Sequence, residues 1–183
     1  MNKHNLTKNI KEISKELGFN LVGISKPEIH KNNSLLLENW LNNNFHATMH
    51  WIERRKEERK NIFKYFPNVK SVISFGHNYF STKSDNNSYK ISNYAWGDDY
   101  HIVLKKKLFK IINLIKSNYN SEIEYRVCVD TSPIMEKFWG QNAGLGWIGK
   151  HTNLINRNIG SWFFLSEILI DIELEFDSLF EED

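Results

Sequence analysis

The chain of 183 residues contains one cysteine, Cys128, and three prolines. A single thiol excludes an intramolecular disulfide, a cysteine-rich zinc site and an iron–sulfur cluster held by this chain alone. No stretch approaches the roughly 18 apolar residues needed to span a bilayer. The opening Met1-Asn2-Lys3-His4-Asn5 leads into a polar amphipathic segment and not an apolar signal core. A cytoplasmic protein with no membrane partner is expected. There is no internal repeat and no linker rich in proline or glycine. What the chain does have is 40% hydrophobic and 14% aromatic residues, enough for a core within a single domain.

Charge is unevenly spread. Asp171 to Asp183 carry seven acids and no Lys or Arg, against 24 basic and 22 acidic residues in the whole chain. Residues 1–170 are therefore at +9 and the last thirteen at −7. A basic body suits a polyanion such as RNA; lysine as a general surface solubiliser explains it equally well.

Leu6, Ile10, Ile13 and Leu17 mark one helical face that Gly18 ends. Phe19–Ser25 reads as a strand. Ser34 is the expected N-cap of the next helix, and Met49–Tyr65 is helical except for a solvated charge run at Glu53–Lys60. Val69–Gly76 is a buried-strand pattern and Ser81–Ser88 a polar loop. Asp98 is the expected cap of a long helix reaching about Asn118, with His101, Leu104, Leu108, Ile111, Ile112 and Ile115 inward. Glu122–Val129 is a third strand. Ser132-Pro133 is the expected start of a helix that ends at Ala143-Gly144. Strand patterns follow at His151–Asn156 and Ser161–Ile170. Alternating helices and strands favour α/β, with a central mixed sheet flanked by helices.

Gly144-Leu145-Gly146-Trp147-Ile148-Gly149-Lys150 matches two phosphate-binding patterns. Both need a strand before the loop and a helix after it, and here the order is reversed. Three glycines in six residues do imply a sharp bend or a close backbone approach. His46 and His50 could share a helix face, yet Ala47 stands where a zincin needs Glu and no third ligand is evident, so chance spacing is the reading. Cys128 reads as a buried, inert thiol. Asp130 stands at the carboxyl end of a strand, where ligands bind in open α/β sheets; a turn or capping role fits it as well.

The runs Val129-Asp130-Thr131-Ser132-Pro133-Ile134-Met135-Glu136-Lys137, Ala143 to Thr152, Gly160 to Leu165 and Glu167-Ile168-Leu169 resemble the N-terminal, cobalamin-binding part of the epoxyqueuosine reductase family. Further matches are Phe19 to Ile24, Phe45-His46-Ala47 with Met49, Ser71 to Ser74 with Asn78-Tyr79, and Tyr94-Ala95 with Gly97 and Asp99-Tyr100-His101. The resemblance runs from about Leu6 to Asp171. It implies a nitroreductase-like or cobalamin-processing-like domain over 1–171. It also implies an acidic tail over 172–183, read as the start of a linker to a missing ferredoxin-like domain.

The same resemblance implies an oxidoreductase that reduces epoxyqueuosine to queuosine in tRNA, using base-off cobalamin. Its expected partners are the tRNA anticodon region and an iron–sulfur domain or protein that donates electrons in trans, since this chain cannot bind the family's clusters. It matches Asp130 to the proton donor. It matches Lys137, Gly144, Gly146, Trp147, Gly149, Lys150, Ser161 and Trp162 to cofactor-binding positions. An apolar, aromatic cleft with backbone close by also suits a flat macrocycle rimmed with amides. Trp96 and Asp98 depart from the pattern, standing where the family often has Arg. The alternatives are a non-catalytic corrin- or tRNA-binding remnant and, by fold analogy only, a flavin-binding nitroreductase-like enzyme.

Overall fold

Helix α1 (Lys3–Glu16) opens the fold in the computed structural model, which describes residues 2–82 and 90–180. Asn2 caps it by accepting from the Asn5 N–H at 2.8 Å. At its other end Gly18 turns left-handed at φ +84°, and the Gly18 and Phe19 N–H groups bond back to Lys15 and Ser14. This is the glycine stop that the sequence pattern requires.

Strands β1 (Leu21–Ser25), β2 (Ser71–Asn78), β3 (Tyr125–Cys128) and β6 (Phe163–Ile170) form one sheet in the order β1-β2-β6-β3. The expected α/β class holds. Within it every pairing is antiparallel, where a mixture of directions was expected. A small hairpin, β4 (Trp147–Ile148) with β5 (Leu154–Ile155), stands apart from the sheet.

Side chains alternate across the sheet. Ile73, Phe75, Ile168 and Ile170 face α1 and α6 (Tyr100–Asn118), where they meet the buried Leu104, Leu108, Ile111, Ile112 and Ile115. Val72 and Leu169 face the other way, towards Ile62 and Phe66 at the short helix α5 (Ile62–Tyr65) and Trp139 of α7 (Glu136–Asn142). Between these lie α2 (Lys31–Asn42), α3 (His50–Arg54) and α4 (Lys56–Lys60).

Four boundaries differ from expectation. Helix α2 begins three residues before Ser34, whose hydroxyl instead bonds the carbonyls of His30 and Lys60. The Glu53–Lys60 charge run is itself mostly helical and breaks at Arg55. Asp99, not Asp98, caps α6. Helix α7 starts at Glu136, because Thr131–Ile134 forms tight turns instead. The expected loop over 81–88 lies, after its first two residues, outside the described residues.

Residues 172–180, expected as the start of a linker, pack on the body. Ile172 and Leu174 are buried. The Leu174 N–H donates to Ser71 Oγ at 2.9 Å and the Glu175 N–H to Thr7 Oγ1 at 3.0 Å. Asp177 bonds both backbone groups of Ile24, covering the free edge of β1.

Candidate active site

Asp130 follows β3 directly and holds a left-handed backbone at φ +58°. Asp tolerates this region better than most residues, but it still costs on the order of 1 kcal/mol. The turn is fixed by the Asp130 N–H, which donates to Glu136 Oε1 at 2.7 Å. It aims an exposed carboxylate at the first turn of α6. There the Tyr100 hydroxyl donates to Asp130 Oδ2 at 3.2 Å, and His101 Nε2 lies 3.3 Å from the same oxygen.

The other ring nitrogen of His101, Nδ1, is 2.8 Å from Asp99 Oδ1, which also accepts the His101 backbone N–H at 2.8 Å. The His101 contacts hold the Asp99 carboxyl below its usual range. As a carboxylate Asp99 can only accept, so Nδ1 carries hydrogen. Nε2 is the ring nitrogen left facing Asp130 Oδ2. Burial, and then the charge of Asp130, push the Tyr100 hydroxyl up to about 12, which keeps it a donor near neutral pH.

Behind this group lie two further acids. Burial is the main cause that raises Glu136 to about 7. Glu167 is wholly buried and raised well above the carboxylate range, first by burial and then by Glu136. It sits in a row across the sheet with Gly23, Ser74 and Cys128. Burial also raises the Cys128 thiol to about 12, in keeping with the inert role expected of it.

Asp130 bonds one lining residue of each of two concavities. A hollow of about 320 Å³ is lined by Tyr79, Tyr94, Trp96, Tyr100, Phe164 and neighbouring polar residues. A groove of about 420 Å³ is lined by Leu36, Met135, Phe138 and Ile148, with Asn33, Glu136 and Lys137. Tyr100 belongs to the first and Glu136 to the second, and both bond Asp130. Aromatic contacts lead away from the aspartate: His101 on Tyr100 at 4.0 Å, Tyr100 flat on Phe164 at 4.2 Å, Phe164 to Tyr79 at 4.6 Å, and Tyr79 to Trp162 at 6.1 Å.

Of the residues expected at a cofactor site, Lys137 lies at the groove, where its ammonium ties down the hairpin turn through Thr152 O at 2.8 Å and Asn153 Oδ1 at 3.0 Å. Trp162 is exposed at the far end of the aromatic series, next to Ser161. The glycines serve the protein's own backbone. A Cβ on Gly146 would stand 1.9 Å from the Ile155 carbonyl oxygen, and one on Gly144 would stand 2.7 Å from that of Ser178. Gly149 is crowded instead by the side chains of Ile155 and His151, and Lys150 is exposed at the turn. Trp147 stacks on Phe180 at 5.4 Å, so one face of its ring is already covered. Asp99, Tyr100, His101, Glu136 and Glu167 were not expected as site residues. The available signal was an Asp-Tyr-His run opening a helix, which places a carboxylate, a phenol and an imidazole on one turn.

The family model described as "Epoxyqueuosine reductase QueG, DUF1730" matches residues 59–131. An epoxyqueuosine reductase of Leadbetterella byssophila is 41% identical over 172 residues, covering 93% of this chain and 57% of the relative. Among solved structures, an epoxyqueuosine reductase with a tRNA-Tyr epoxyqueuosine-modified stem loop superposes with TM-score 0.86 at 21% identity, covering 98% of this chain and 49% of that one. The Bacillus subtilis enzyme, in which an aspartate-bearing catalytic loop is swung out of the active site, gives 0.81 at 19% identity, covering 100% and 49%. A reductive dehalogenase with a B12-dependent mechanism gives 0.63 at 11% identity, covering 100% and 21%. These structural likenesses establish the fold. Over nearly its whole length the chain is similar to epoxyqueuosine reductases, and it spans about half the length of the members it matches.

Proposed function

We propose that this chain is the corrin-binding part of a tRNA epoxyqueuosine reductase, with Asp130 as the proton donor. The observation that carries the reading is the pair of bonds that tie Asp130 to Glu136 at the rim of one concavity and to Tyr100 at the rim of the other. The groove beside Lys137 suits one face of a corrin, since it is apolar and edged by a few polar groups. The hollow walled by Tyr79, Tyr94, Trp96 and Tyr100 suits a nucleoside splayed out of an RNA loop and stacked on aromatic rings. The named functions of the solved relatives, one with a modified tRNA stem loop and one B12-dependent, support both assignments.

Deoxygenating an epoxide to an alkene takes two electrons and two protons and releases water. A bound corrin supplies the electron-transfer chemistry, and an iron–sulfur donor in trans supplies the electrons. This chain supplies protons and position. Asp130, protonated through His101 Nε2, delivers a proton to the departing oxygen, and His101 restores it from solvent. Asp99 holds the imidazole in the tautomer that lets Nε2 do this, and the Tyr100 hydroxyl orients the carboxyl. General-acid help of this kind is worth about 10²–10⁴ in rate.

The test is turnover in the complete system with the iron–sulfur donor present. Asp130→Asn is expected to lower turnover at least a hundredfold with corrin binding near normal. Unchanged turnover overturns the proton-donor role. Failure of any corrin to co-elute with the chain under anaerobic reduction overturns the binding assignment.

A further inference from the structure

The turn between α2 and α3 holds a cluster remote in character from the acids described above. His46, His50 and Glu53 each offer one ligand atom, and these atoms all lie within 4.8 Å of one another. We propose that these three side chains bind one divalent transition-metal ion, Zn²⁺ by preference, with at least one position left to water. The inference does not rest on the corrin reading.

Chain geometry brings them together. His50 and Glu53 are three apart on α3, so they share a helix face. His46 comes from the preceding turn, which is bent by a left-handed Ala47 at φ +49°. Its ring is 5.5 Å from that of His50, centroid to centroid. Ala47, where a zincin would have Glu, excludes that motif but not this one, because the third ligand comes from Glu53 on the far side of His50.

The chemistry is selective. Two imidazoles and one carboxylate form the ligand set of many open zinc sites, while calcium and magnesium prefer all-oxygen shells. Two donors on one zinc ion can be at most about 4.2 Å apart, twice a bond of roughly 2.1 Å. The cluster must therefore close slightly on binding. The partners that must move, His50 and Glu53, are exposed. The fixed one is His46, only 5% exposed and packed against Trp40. Its Nδ1 is buried and has no hydrogen-bond partner among the described residues. Buried polar nitrogens are nearly always paired, so an unpaired ring nitrogen on His46, beside two other potential ligands, is a second observation in favour of an ion.

The test uses the full chain, free of any affinity tag, titrated with Zn²⁺ against a chromophoric chelator. One ion per chain at micromolar affinity or tighter is expected, together with a rise in Tm that depends on zinc concentration. His50→Ala and Glu53→Gln, both at exposed positions, should each weaken binding at least tenfold while the metal-free Tm stays within a few degrees. Absence of stoichiometric binding overturns the proposal. Wild-type affinity in both variants also overturns it, because the ion would then sit elsewhere.

Discussion

The two faces of the same four-stranded sheet are built on opposite terms. Towards α1 and α6 the sheet presents Ile73, Phe75, Ile168 and Ile170 to a solid aliphatic layer. Towards α7 it presents a row of Gly23, Ser74, Glu167 and Cys128. There the Ser74 hydroxyl and both Glu167 oxygens have no hydrogen-bond partner among the described residues. Gly23 is in that row because the Ala143 carbonyl leaves no room for a side chain; a Cβ would meet its oxygen at 1.9 Å. Both faces bury apolar side chains, Val72 and Leu169 on the α7 side, and the α1–α6 side has an unpaired hydroxyl of its own at Ser166. Among the described residues the α7 side alone buries an acid, directly behind Glu136 and the Asp130 turn, and such departures from good packing gather at functional sites.

The largest difference between the faces should appear when each is truncated. Ile112→Ala removes a fully buried side chain from the aliphatic layer. It is expected to cost about 2–5 kcal/mol in denaturant unfolding, from lost transfer energy and an unfilled cavity. A loss below about 1 kcal/mol would mean that this face is not the main source of stability.

The α7 face should instead respond to pH. Below about pH 4.5 both folded and unfolded chains hold the protons of Glu136 and Glu167. As pH rises, the unfolded chain releases them while the folded chain keeps the Glu136 proton to about pH 7 and the Glu167 proton beyond it. Stability therefore falls as pH rises through this window, by about 1.4 kcal/mol per pH unit for each proton retained. Glu167→Gln cannot ionise and removes a buried acid from beside Glu136. The slope between pH 5 and 7 is expected to drop to half the wild-type value or less, with stability at pH 8 equal to or above wild type. An unchanged slope would show that Glu167 is not one of the proton-retaining groups.

How legible each face was follows from the range of its determinants. The α1–α6 layer could be read directly, because Leu6 and Ile10, or Leu104, Leu108 and Ile111, repeat at helical spacing and Gly18 marks a stop. Asp130 was marked as a ligand-site candidate by its place after a strand, and as a proton donor only by the family resemblance. Its partners were not, because His101 reaches it from 29 residues away in sequence. The start of α7 was misjudged at Ser132-Pro133 for a similar reason: the Glu136 carboxylate is drawn back to the Asp130 N–H, and the chain turns before the helix begins. The glycine-rich loop shows most clearly where local pattern runs out. Its glycines do mark close approaches, but to Ile155 and Ser178, contacts that no spacing rule contains. The third potential metal ligand, Glu53, was hidden because it lies after His50 and not between the two histidines.

The segment after Asp171 gives the smallest and most local test of how the body is bounded. The family resemblance reads it as the start of a linker, yet Asp177 does the work of a neighbouring strand. Its N–H donates to the Ile24 carbonyl at 2.8 Å, Oδ2 accepts the Ile24 N–H at 2.8 Å, and Oδ1 meets Lys11 at 2.5 Å. Asp177→Ala removes the acceptor from a partly buried backbone donor and is expected to cost about 1 kcal/mol. Asp177→Asn keeps an oxygen for Ile24 and loses only the charge opposite Lys11, so it should stay within about 0.5 kcal/mol of wild type. Equal losses in the two variants would assign the effect to the ion pair. No loss in either would mean that the edge of β1 is held by the backbone bond from Asp177 to Ile24, with the carboxylate contributing nothing measurable. The expected split between Ala and Asn instead identifies this acidic segment as the cover of a sheet edge, a position that an unpaired strand needs filled.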